Sequence, residues 1–281
     1  MGGAMAATLA RSGFQPLLWN RDVAKAEAVA TEIGAEVASS AAELASKVDV
    51  IVTSLADDSA VRHVYLDAKG IAAGIGPGTI AVEMSTIDPE TVHDVGSVID
   101  ATGAGFIDCP VSGSVTTVVS GSLTMMAGGE PALIDMVRPV LEPLSSRVIH
   151  VGPRGSGAVV KLAVNGLVHG LNLALAEALV LAERAGVDRA TTYEVFASGA
   201  GGAPFVQYKR AAYEHPEDAA VAFRLDLVAK DLELITGLGR RVGAPMGQAE
   251  TGLAIVRDAI DAGLGDRDMS AVAIHLRGEV A

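Results

Sequence analysis

Gly152-Pro-Arg-Gly-Ser-Gly157-Ala-Val-Val-Lys161-Leu-Ala-Val-Asn165 divides this 281-residue chain into two kinds of sequence. Before it, short apolar runs alternate with helical patterns. After it only helical periods follow, at 157–185, 189–197, 203–213, 225–241 and 247–262. Strands alternating with helices imply a parallel sheet with crossover helices. The expected organisation is an α/β domain over residues 1–152 and an all-α domain over 153–281, joined by the long helix that opens at Gly157.

That helix is apolar except for one stripe. Lys161, Asn165, His169 and Asn172 are four, four and three residues apart, which at about 100° per residue puts them on one face. A lysine in a packed helix loses hydration, which lowers its pKa toward useful acid–base chemistry. Read on spacing alone, Lys161 is equally a proton relay or a snorkelling lysine at a helix start. His169 and Asn172 read as satisfied polar groups at a domain or subunit contact. No His/Cys/Asp/Glu cluster with metal spacing accompanies them, so no metal is expected.

Half the residues are hydrophobic but only 4% are aromatic, so the core is built from Ala, Val, Leu and Ile. A net charge of −13 argues against nucleic-acid binding, which needs phosphate-neutralising Lys and Arg. The single cysteine, Cys109, excludes an intrachain disulfide and fits a cytoplasmic location. No signal-peptide pattern opens the chain. The polar residues of the long helix interrupt it too often for a membrane span, so no membrane partner is expected.

In the first half, Pro16–Trp19, Asp49–Leu55, Thr79–Glu83, Gly105–Asp108 and Leu123–Ala127 read as strands. Asp22–Ile33 reads as a helix stopped by Gly34. Ser40-Ala-Ala-Glu43 is a capping-box pattern, another helix starts near Asp58, and Pro89 with Glu90 marks a further helix start. This order is that of a dinucleotide-binding domain, but its fingerprint starts late. Met1-Gly2-Gly3-Ala4-Met5-Ala6 already lies at or inside a helix, so the usual first strand and first two glycines, roughly ten residues, are expected to be missing. On that expectation the chain binds cofactor poorly or folds marginally. The position after the second strand, which in NAD enzymes carries an acid, holds Asn20 followed by Arg21. A guanidinium there suits a 2′-phosphate, which favours NADP over NAD, although Asp22 opposes it and a solvated arginine is the plain alternative.

Met1-Gly2-x-x-Met5-Ala6, Glu83-Met-Ser85-Thr86-Ile-Asp-Pro89, Asp108-Cys-Pro-Val-Ser112-Gly113, Gly157-x-x-x-Lys161-x-x-x-Asn165, Lys230-Asp231-Leu232 and Gly263-Leu-Gly-Asp266-Arg-Asp268-Met-Ser270 occur in that order. Across essentially its whole length the chain resembles the β-hydroxyacid dehydrogenase family, which includes 3-hydroxyisobutyrate dehydrogenase, tartronate semialdehyde reductase and glyoxylate/succinic semialdehyde reductases. The resemblance implies an α/β N-terminal dinucleotide-binding (Rossmann-like) domain, a long interdomain helix and an all-α C-terminal domain that makes homodimers or homotetramers. It implies hydride transfer between NADP or NAD and a small carboxylate-bearing substrate. Lys161 is then the proton donor and acceptor, and Asn165, one turn on, bonds the substrate and Lys161, an interhelical hydrogen bond being its plain alternative.

Ser112, Gly113 and Ser114 are expected to receive the substrate carboxylate through free backbone amides, unless they form an ordinary turn. The family usually has Ser-Gly-Gly here, and Ser114 departs from it. Gly2, Asn20, Arg21, Leu55, Thr86 and Lys230 are the expected cofactor-binding residues, with Asp231 holding Lys230 or closing the site. A solvated surface pair is the plain reading of Lys230 and Asp231, and Cys109 reads as packing. Two other functions fit the same architecture: imine reduction, which Lys161 argues against, and a non-catalytic dinucleotide-binding scaffold.

Overall fold

Ile80-Ala-Val-Glu83 is buried at all four positions, and the N-terminal sheet is built around it. Successive side chains of a strand point to opposite faces, so a strand buried throughout needs cover on both sides. Ile80 and Val82 pack on one side with Met5, Leu9, Ile107, Met125 and Leu141, whereas Ala81 joins Ile51, Val61, Tyr65, Val95 and Phe106 on the other.

The computed structural model describes residues 1–216 and 219–278. The chain falls into two units, Met1–Lys161 and Leu162–Ala281. In the first, the elements run α1 (Gly2–Arg11), β1 (Leu17–Leu18), α2 (Val23–Ile33), β2 (Glu36–Val37), α3 (Ala41–Ala45), β3 (Val50–Thr53), α4 (Asp58–Leu66), β4 (Ile80–Glu83) and α5 (Pro89–Asp100). Then come β5 (Gly105–Asp108), β6 (Val111–Ser112), α6 (Val115–Val119), β7 (Leu123–Gly128), α7 (Pro131–Leu141) and β8 (Ser145–Gly152). The helix α8 (Ser156–Arg184) starts in this unit and continues into the second.

The helix boundaries follow local chemistry. Gly34 ends α2 in the left-handed conformation at φ 67°, where glycine has no steric penalty. The Ser40 hydroxyl accepts from the Glu43 amide at 3.0 Å, but the Glu43 carboxylate takes the amide of Ser39 rather than that of Ser40 itself. This differs by one residue from the capping box the sequence predicts.

The sheet is mixed rather than purely parallel. β3, β4 and β5 pair in parallel, and β7 pairs antiparallel with β5 and β6 and parallel with β8. The reason is connection length. Parallel neighbours need a crossover of about a dozen residues or more, and the link from Ser112 to Leu123, with only the five-residue α6 in it, is too short. The longer link through α7 restores the parallel direction. β1 and β2 form a separate two-stranded parallel sheet.

In the second unit α8 is followed by α9 (Arg189–Ser198), α10 (Pro204–Glu214), α11 (Leu225–Val242), α12 (Gly247–Ala259) and α13 (Val272–Arg277). Leu162, Leu173, Ala176 and Leu179 of α8 pack with Val228, Leu232 and Ile235 of α11 and Leu253 and Val256 of α12. By length and composition α8 could cross a bilayer. A buried ion pair stitches the end of this unit together. Lys209 Nζ lies 2.7 and 2.8 Å from the two Asp268 oxygens, and that carboxylate also accepts the amides of Ala222, Phe223 and Ser270.

Candidate active site

Asp108, at the end of β5, anchors the first turn of α8. It is 1% exposed. Its Oδ1 accepts the Gly155 amide and its Oδ2 the Ala158 amide, both at 2.8 Å. Burial pushes the carboxyl upward, and these amides pull against it. An acid is well placed at a helix N-terminus, whose first amides have no partner within the helix. Two glycines make the approach possible. A Cβ at Gly157 would stand 2.5 Å from the Met126 carbonyl oxygen and 2.7 Å from Asp108 Oδ2, and one at Gly128 would stand 2.6 Å from Asp108 Oδ1. The glycine and the aspartate of the two motifs are thus one packing device. Lys161 is one turn beyond Gly157 and half-buried.

Further along α8 the polar stripe divides. Asn165 Nδ2 donates to Asp231 Oδ2 at 2.6 Å, and His169 Nε2 lies 3.2 Å from the same oxygen. Asn172 turns elsewhere: it donates to the Met269 carbonyl at 3.1 Å and accepts from the Tyr213 hydroxyl at 2.8 Å. Asp231 is fully buried on α11, with the Lys230 ammonium 3.0 Å from its Oδ1. The reading of Lys230 and Asp231 as a solvated surface pair is therefore wrong for Asp231. Burial acts to raise the Asp231 carboxyl, but the His169 hydrogen bond and the Lys230 charge outweigh it and hold it below its ordinary range.

The loop at Ser112–Ser114 is less open than its sequence implies. Gly113 has φ 144°, and a Cβ there would collide with Thr117 Oγ1. The Ser114 amide donates to that same oxygen at 2.7 Å, in a reciprocal cap that starts α6. Of the amides expected to meet a carboxylate, that of Ser114 is already taken. The pattern Ser114-x-x-Thr117 carried this signal.

At the ends of β3 and β4 lies a buried network that the sequence reading overlooked. Glu83 is fully buried. It accepts from the Thr53 hydroxyl and the Ser85 amide, each at 2.6 Å, while Thr53 Oγ1 is 2.8 Å from the Tyr65 hydroxyl. The Leu55 amide donates to Ser85 Oγ at 2.7 Å. Burial pushes the Glu83 carboxyl above its usual range against the hydrogen bonds from Ser85, Thr53 and Tyr65. The network ties the loop carrying Leu55 to the loop carrying Thr86, which is half-buried. An acid ending an apolar strand was the available clue.

The remaining positions bear on whether a dinucleotide fits. α1, which opens at Gly2, has no side-chain cap and no acid in its first turn, so its first amides suit an anion. A Cβ at Gly2 would meet nothing closer than Ser54 Cβ at 4.0 Å, at the end of β3. Asn20 Oδ1 accepts the Asp22 amide at 2.9 Å, Arg21 is exposed, and Asp22 lies 3.5 Å from Lys25. The acid that opposed a 2′-phosphate thus has a cation of its own. These residues fit a dinucleotide. Cys109 is fully buried, and burial pushes its thiol up to about 12, so it packs and does not react.

Comparison with known proteins agrees with this architecture. Residues 1–152 match the family described as the NAD binding domain of 6-phosphogluconate dehydrogenase, and residues 155–276 match that described as NAD-binding of NADP-dependent 3-hydroxyisobutyrate dehydrogenase. Glyoxylate/succinic semialdehyde reductase 1 of Arabidopsis thaliana is 33% identical over 272 residues, covering 97% of this chain and 93% of the relative. The 2-(hydroxymethyl)glutarate dehydrogenase of Eubacterium barkeri is 32% identical, covering 97% and 90%. The crystal structure of 3-hydroxyisobutyrate dehydrogenase from Salmonella typhimurium superposes with a TM-score of 0.88 at 28% identity, covering 97% of this chain and 95% of that one. The chain belongs to the β-hydroxyacid dehydrogenase family, and it is an NAD(P)-dependent oxidoreductase acting on CH–OH groups.

Proposed function

We propose that this protein interconverts a small β-hydroxyacid and its semialdehyde, with Lys161 as the proton donor and acceptor. The bound nicotinamide supplies or takes the hydride. The observation that carries the reading is the anchored start of α8: Asp108 and Gly157 fix the helix one turn before Lys161. In oxidation the Lys161 amine takes the substrate hydroxyl proton, and in reduction its ammonium returns a proton to the developing alkoxide. Asn165, one turn on, orients these groups. Ser112 and Gly113 hold the substrate carboxylate, with Ser114 shaping the loop through its cap on α6. The names of the relatives support a carboxylate-bearing substrate.

Gly2, Asn20, Arg21, Leu55, Thr86 and Lys230 hold the cofactor. NADP is preferred, because the position after β1 offers an amide and a guanidinium in place of a carboxylate. The protein acts as a homodimer or homotetramer. Exposed Leu167, Ala174 and Leu181, seven residues apart on one face of α8, support this.

The test is Lys161→Ala, with NADPH oxidation followed against glyoxylate, succinic semialdehyde, tartronate semialdehyde and methylmalonate semialdehyde. Turnover should fall by roughly 10²–10⁴, the usual contribution of a positioned acid–base group, while NADPH binding measured by fluorescence is unchanged. A near-native rate in the variant refutes the assignment.

A further inference from the structure

His169 is a buried titratable group that the proposed chemistry leaves unused. It is 2% exposed, and its ring lies 5.8 Å from that of Phe223. Asn165 and His169, on consecutive turns of α8, converge on one oxygen of Asp231. The direction of these bonds decides which atom of Asn165 is available for chemistry. An ionised carboxylate only accepts hydrogen bonds, so the amide edge that meets it must be the nitrogen. The amide oxygen is then turned away from Asp231. Turning the amide over would set its oxygen against the carboxylate.

This lock holds only while Asp231 stays ionised. A protonated Asp231 carries an O–H, and the Asn165 amide is then free to turn and offer its oxygen to it. His169 works against that. Among the described residues its Nδ1 has no hydrogen-bond partner, which favours the tautomer with the proton on Nε2, facing Asp231. Lys230 adds a positive charge on the other oxygen.

We propose that His169 is a positioning residue: through Asp231 it fixes the Asn165 amide so that its carbonyl oxygen, an acceptor one turn from Lys161, is the atom offered to the reacting groups. The proposal rests on the reading of Lys161 and Asn165 given above. It also narrows that reading, since the Asn165 oxygen is then the atom that accepts an O–H or N–H from the reacting groups.

The test uses the full chain. His169→Phe keeps an aromatic ring beside Phe223 and removes the donor, and His169→Gln restores an N–H. His169→Phe should lower kcat about tenfold or more, the scale of a misplaced catalytic group, with the NADPH Kd from fluorescence titration within about twofold of native. His169→Gln should recover most of that kcat. Asp231→Asn, which gives the Asn165 oxygen a donor to turn toward, should lose kcat to a similar degree, and it serves as the second probe if His169→Phe does not fold. Native kcat in His169→Phe or Asp231→Asn overturns the proposal. So does His169→Gln being as slow as His169→Phe while both melt near the native temperature, since packing alone would then explain the loss. The two readings fail separately. An active Lys161→Ala refutes the catalytic assignment, whereas an inactive Lys161→Ala beside a native His169→Phe refutes only the positioning.

Discussion

Two glycines of α8 should respond in opposite directions to the same substitution. Alanine in a helix interior is ordinarily favoured over glycine by about 1 kcal/mol, because glycine loses more backbone freedom on folding. At Gly166 nothing opposes that gain, since the nearest atom to an added Cβ is Ile235 Cδ1 at 3.7 Å, an ordinary contact. Gly166→Ala should stabilise by about 0.5–1 kcal/mol. At Gly157 the added Cβ would stand 2.5 Å from the Met126 carbonyl oxygen, against an ordinary C···O approach of about 3.3 Å. Met126 lies in β7, held in register by β8, so it is not free to withdraw. The second obstacle is Asp108 Oδ2, which already accepts from Ala158. Overpacking costs about 1–3 kcal/mol and a weakened bond to a charged group about 1.5–3. Less the propensity gain, Gly157→Ala should destabilise by about 1.5–5 kcal/mol. Urea unfolding followed by far-UV circular dichroism reads both variants, provided the slopes match native. A Gly157→Ala protein as stable as native would refute the account of the anchored helix start, as would shifts of the same sign at both sites.

Glu83 gives a pH-dependent expectation. Its carboxyl is held above the usual glutamate range in the folded chain, so the stability tied to it is present below the unfolded value and is lost as pH rises through the folded one. Glu83→Gln mimics the protonated acid, so its urea midpoint relative to native should improve between pH 5 and pH 8, and a pH-independent difference would contradict this. Arg21→Ala should raise the KM for NADPH about tenfold and leave that for NADH nearly unchanged, as expected for the loss of a charged bond to a 2′-phosphate. Equal effects on the two cofactors in steady-state assays would remove Arg21 from that role.

Much of the fold was legible because it rests on local rules. Ile80-Ala-Val-Glu83 reads as a strand since a short apolar run set between Thr79 and Glu83 has few other homes, and Gly34 reads as a helix stop from its conformational freedom alone. What stayed hidden depends on partners far away in the sequence. β2 and β6 are two residues long, too short for any period to show. β8 alternates poorly because exposed and half-buried positions are mixed along it, so its sequence resembles a loop. The direction of β7 follows from the length of the link before it, a property of the connection and not of the strand.

The site divides along the same line, and Asn165 shows why. Its place on the face of Lys161 follows from helical period, which any reader of the sequence can compute. Which of its atoms does the work depends on Asp231, 66 residues on, and that in turn depends on His169. Spacing brings a residue type to a site, but for an amide the type alone leaves donor and acceptor interchangeable. A buried carboxylate beside it removes that choice. Stripes of polar residues on apolar helices therefore need two readings: which members face the reacting groups, and which hold the first ones in a single orientation. Here the split falls after Asn165, so His169 is structural by position yet bears on the chemistry through one shared oxygen.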